Sequence, residues 1–109
     1  MLHFKPEVRI EHVTDELMCI LSIASMWSHK TGIGIEINSI DDGTHGATTR
    51  HGLSLAADID TDGDRPQDLE ALFQYLLYVM PTAYNVIHEG DHVHVEAHYN
   101  HAPLRLPAS

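Results

Sequence analysis

Two imidazoles separated by one residue, His92-Val93-His94, are the residues of this chain best placed to do chemistry. On a strand they point to the same face. Upstream, His51 and Asp58 are spaced so that an imidazole and a carboxylate from a second segment can converge on that face. Two histidines and one aspartate around an open position make a ligand set suited to catalytic zinc. Asp58 stands among Leu53, Leu55, Ala56, Ala57 and Ile59. A carboxylate in so apolar a strand is costly unless it is paired or holds a cation. Asp60 follows on the same face and reads as a solvated neighbour. In Glu89-Gly90-Asp91-His92-Val93-His94-Val95-Glu96, Val93 and Val95 are expected in the core, with His92, His94 and Glu96 on the other face. The chain holds 10 histidines. His45, His88 and His98 join those already named in the later part of the sequence, while His3, His12, His29 and His101 read as ordinary surface or core residues.

Elements to carry these side chains follow from the pattern. Residues 14–29 predict a first helix: Thr14 can cap it, Asp15 and Glu16 fall where the helix dipole favours acids, and Thr31-Gly32 ends it. Leu17, Ile20, Leu21, Ala24 and Trp27 or Ser28 have helical spacing, and Ile23 and Met26 widen the apolar face toward a well-buried helix. Gly34 to Ile40 alternates as a strand, and Asp41-Asp42-Gly43 turns the chain. Residues 44–52 read as loop, and Leu53 to Ile59 as a second strand, with or without a helical turn before it. A second helix is expected over 66–79, with Pro66 in its first turn and Pro81 beyond its end. Its core stripe is Leu69, Leu72, Phe73, Leu76, Leu77 and Met80. Tyr84 to His88 and His92 to His98 read as strands joined by a tight turn at Glu89-Gly90-Asp91. Residues 1–109 therefore form one domain with an extended tail from about residue 98. The order of elements predicts an α+β fold, a small antiparallel sheet with helices packed on one side.

Composition narrows the partners. With 16 acidic and 6 basic residues the formal charge is −10. That argues against nucleic acid and against an anionic membrane surface, both of which call for basic patches. The lone Cys19 excludes an internal disulfide and, within Leu17-Met18-Cys19-Ile20-Leu21, reads as a buried inert thiol. The N-terminal residues lack the pattern of a signal peptide, and the longest apolar stretch is too short to span a bilayer. Synthesis in the cytoplasm is the expectation, with any action outside depending on release or on a carrier.

The stretch Thr49-Arg50-His51-Gly52-Leu53-Ser54-Leu55-Ala56-Ala57-Asp58 resembles the motif Ser-x-His-x-x-Gly-x-Ala-x-Asp of one enzyme family. These are the zinc D-alanyl-D-alanine carboxypeptidases and L-alanyl-D-glutamate endopeptidases that cut peptidoglycan peptides and share a fold with the Hedgehog signalling domain. Many of them come from bacteriophages. His, Ala and Asp match in register; Thr49 stands for Ser and Ser54 for Gly. Asp91-His92-Val93-His94 is similar to the second motif, an acid three residues before a ligand histidine. Asn38-Ser39 and Asp42-Gly43-Thr44-His45 resemble phage-type members, so the likeness covers residues 38–96. The resemblance implies a Hedgehog/DD-peptidase-like fold, with His51, Asp58 and His94 as zinc ligands. It implies Asp91 as the general base, which takes a proton from water as that water attacks the peptide carbonyl, and His92 as a group that stabilises the oxyanion. Glu89 keeps the same spacing to His92, so a second register exists; the Val-His-Val context favours His94. Arg50 and His45 are the candidates for holding a substrate carboxylate.

The leading expectation is thus a zinc peptidase acting on peptidoglycan stem peptides, after release at the cell wall or as part of a virion. The alternative is a non-catalytic zinc-binding virion or tail component of the same fold, in contact with other phage proteins. A third reading, metal buffering, predicts several weakly held ions per chain. Asp58-Ile59-Asp60-Thr61-Asp62-Gly63 imitates the start of an EF-hand loop, but the twelfth position is Leu69 and no helix is expected before it, leaving at most an opportunistic calcium site.

Overall fold

A computed structural model describes residues 1–10, 14–41 and 54–98. The Thr14 hydroxyl accepts the Leu17 N–H at 3.1 Å and opens helix α1, Asp15–Thr31. The helix closes where Gly32 turns left-handed (φ 78°) and its N–H reaches the Ser28 carbonyl. Helix α2, Pro66–Val79, begins on its proline and stops as Met80 turns to extended backbone before Pro81. The strands are β1 (Leu2–Phe4), β2 (Ile35–Asp41), β3 (Ser54–Thr61), β4 (Tyr84–His88) and β5 (Val93–His98).

The five strands form one sheet in the order β1-β2-β3-β5-β4. The sheet is mixed rather than wholly antiparallel, because β1, for which the sequence shows no strand pattern, runs parallel to β2. The other neighbours pair antiparallel, as expected. Alternation then sorts the side chains. Leu55, Ala57, Ile59, Val93, Val95 and the first two isoleucines of β2 (Ile35, Ile37) are buried with Ile20, Ala24 and Trp27 of α1 and with Leu69, Leu72 and Leu76 of α2. Both helices therefore cover the same face of the sheet, and the opposite face carries the polar residues of β3 and β5. Two expected core residues lie outside this packing: Met26 is 57% exposed and Leu77 49%, so each helix buries a narrower stripe than its sequence predicts. Cys19 is half-buried against the core rather than sealed inside it. Among the described residues no helix is long and apolar enough to cross a membrane.

Strand β2 departs from regular geometry at one point. Its apolar positions are Ile35, Ile37 and Ile40, so the alternation breaks once. The break is a bulge: Ile37 pairs with Ile59, Ser39 with Asp58, and Asn38 is the extra residue. Ile40 thereby returns to the core side and Ser39 comes to the polar face.

Candidate metal centre

Asp58 of β3 and His94 of β5 are directly opposed in the sheet register, on the polar face. At such a pair the side chains lie within reach across the strands, and here His94 Nδ1 sits 2.7 Å from Asp58 Oδ1. The other ring nitrogen, Nε2, lies 2.7 Å from Glu96 Oε1 on the same strand. Asp58 Oδ2 accepts the Ser39 hydroxyl at 2.8 Å. The carboxylate that looked costly in the sequence is thus paired at both oxygens, and its side chain is only half-buried.

His92 falls just before β5, in the turn rather than in the strand predicted for it, yet it reaches the same place. Its Nε2 lies 2.9 Å from Glu89 Oε1 and 3.7 Å from Asp58 Oδ1, and its Nδ1 lies 2.6 Å from Asp91 Oδ1. The turn that brings these groups together depends on Gly90 at φ 94°, a conformation that side chains disfavour. Its N–H is held by His88 Nδ1 at 3.1 Å. His88 itself points to the helix side, edge-on to Phe73 with ring centroids 5.2 Å apart.

The charges reinforce one another. Partial burial pulls His94 toward the neutral form, but hydrogen bonds to Asp58 and Glu96 outweigh it and raise its pKa above the ordinary imidazole value. His92 is raised in the same way by Asp91 and Glu89 against its own partial burial. The His92 hydrogen bond in turn holds Asp91 below the usual carboxylate range. Asp60 is not the freely solvated neighbour its position suggested. Burial, a hydrogen bond with Asp64 and the nearby Asp64 and Asp91 charges push its pKa up to about 6. Asp60, Asp64 and Asp91 border a cleft of about 190 Å³ beside the β4–β5 turn.

One donor atom from each of Asp58, Glu89 and His94 lies within 4.8 Å of the other two, so this trio could hold a metal ion. One imidazole nitrogen with two carboxylate oxygens is a donor set that several divalent cations accept, and the Glu96 contact supplies the outer partner that a ligand histidine ordinarily has. Two of the three expected ligands, Asp58 and His94, are therefore side by side. The third, His51, lies outside the described residues, as do Arg50 and His45. Glu89, the acid three residues before His92, completes the trio in the described residues. Asp91, the expected base, touches His92, and its side chain is 91% exposed. Asp58 to Thr61 lie within β3, so the first four residues of the EF-hand-like run are strand rather than loop, and Asp62-Gly63 form the turn that follows. No family model, curated protein or solved structure matches this chain.

Proposed function

We propose that this chain is a zinc metallopeptidase that hydrolyses peptide bonds in peptidoglycan stem peptides. The observation that carries the reading is the Asp58–His94 contact, 2.7 Å between residues 36 positions apart that the resemblance had already paired as ligands. His94 and Asp58 would hold the zinc together with His51. Bound there, zinc would act as a Lewis acid and lower the pKa of a water. Glu96 fixes the ring of His94 from its far nitrogen. Asp91 would take the proton from the attacking water: it keeps the three-residue spacing to His94, and the His92 hydrogen bond holds its carboxyl below the usual carboxylate range. Contacts of this kind often tighten only when substrate arrives. His92, held between Asp91 and Glu89, would stabilise the oxyanion and steadies Asp91.

A second assignment of the base has its own support, because Glu89 lies closer to the Asp58–His94 pair. Two variants separate the two. With Asp91 as base, Asp91→Asn keeps zinc and loses hydrolysis by about 10²–10⁴-fold, the usual contribution of a general base. A dead Glu89→Gln beside a fully active Asp91→Asn reverses the assignment.

The peptidase reading as a whole is tested by elemental analysis of the purified protein and a digest of purified cell wall followed by mass spectrometry. One zinc per chain and released stem-peptide fragments or D-alanine are expected. Zinc without any released product points instead to the non-catalytic virion component, and several loosely held ions per chain to a buffering role.

A further inference from the structure

Asp58 has two oxygens, and the fold treats them differently. Oδ1 faces the imidazoles, 2.7 Å from His94 Nδ1 and 3.7 Å from His92 Nε2. Oδ2 accepts a hydrogen bond from Ser39, 19 residues away on β2. Nothing in a regular strand would bring Ser39 there. If β2 continued its pairing from Ile37↔Ile59 without interruption, Asn38 would oppose Asp58, Ser39 would point into the core and Ile40 would point to solvent. The extra residue at Asn38 reverses that phase, so that Ser39 pairs with Asp58 and Ile40 with Ala57. The Asn38 side-chain oxygen is buried and has no hydrogen-bond partner among the described residues, so the bulge carries an energetic penalty of its own. Bulges recur beside functional sites because they re-aim a side chain.

We propose that Ser39 is a positioning residue of the metal centre, carried into place by the bulge at Asn38, whose hydroxyl occupies Asp58 Oδ2 so that Oδ1 alone is presented to the ion. This inference rests on the zinc reading of the site. A carboxyl torsion is soft and nearly two-fold, so a carboxylate without such a tether can turn and offer both oxygens. The Ser39 hydrogen bond restrains that turn. Held in this way, Asp58 would offer the ion one oxygen, which would leave a position open for water and substrate.

The experiment compares the full-length wild type with Ser39→Ala, Ser39→Thr and Asp58→Ala. Zinc affinity is read by competition with a chelating indicator, and coordination by the visible absorption of bound Co²⁺, which is strong for four ligands and weak for five or six. Ser39→Ala should bind zinc about 10–100-fold more weakly, the range found when the outer partner of a ligand is removed. Its Co²⁺ spectrum should also weaken, while the melting temperature of the zinc-free protein stays at the wild-type value. Ser39→Thr, which keeps the hydroxyl on a strand-favouring residue, should restore both signals. Wild-type affinity and spectrum in Ser39→Ala overturn the role of Ser39 and leave the zinc reading standing, provided Asp58→Ala loses the ion. Equal losses in Ser39→Ala and Ser39→Thr also overturn it, since the hydroxyl would then not be the cause. A wild type that takes up no zinc overturns the zinc reading and this inference together.

Discussion

Both ring nitrogens of His94 are committed to carboxylates, and His92 stands between two more. Each ring therefore favours the imidazolium form in the folded protein. A group with a raised folded pKa stabilises the fold fully below its unfolded value, near 6.5 for histidine, and loses that contribution as pH climbs through the folded value. Asp60 acts in the same direction lower down, between 3.8 and about 6. Asp91 is opposite: its lowered pKa adds stability above the ordinary carboxylate value, and that stability is lost as pH falls. The zinc-free protein should accordingly melt at a lower temperature at pH 8 than at pH 6. In His94→Gln the difference should shrink; an unchanged slope in that variant would refute the assignment. Asp58→Ala should lose zinc on elemental analysis, because it removes a ligand and leaves Ser39 and His94 without their shared partner.

The helices obey local signals closely. Thr14, the first-turn acids, Gly32 and Pro66 each act where the sequence places them. Thr14→Ala should lower stability by about 1 kcal/mol, measurable by urea unfolding, since it removes the acceptor for the Leu17 N–H. The β4–β5 turn is equally local, and Gly90 holds the left-handed angle it needs. Strand β1 was not legible. It is 3 residues long and half exposed, and it belongs to the sheet only through its pairing with β2, a distant partner in the chain. The bulge was hidden for a different reason. Ile35, Ile37 and Ile40 look like alternation with one slip, and only the register with β3 shows that the slip is an inserted residue that moves Ser39.

At the scale of the molecule, one face of the sheet makes the core and the other makes the site. Leu72 is fully buried at the centre of the first, and Leu72→Ala should cost about 2–5 kcal/mol in a denaturant titration. The site was legible in part. Asp58 and His94 were visible because an acid amid apolar residues and a His-x-His pair are each unusual, but that they face each other depends on β5 inserting between β3 and β4. Glu89 was visible as the alternative acid three residues before His92, whereas the contacts of Glu96 and Ser39 were not legible, because single polar residues at strand positions look like any solvated face. The Asp58–His94 hydrogen bond has one more consequence. Its bridging hydrogen occupies the line along which a cation would be shared, so uptake of zinc must expel it into the medium. Heats of zinc binding should then differ between two buffers of unlike ionisation enthalpy, and the difference should report close to one H⁺ liberated for each ion taken up at a pH where His94 is charged.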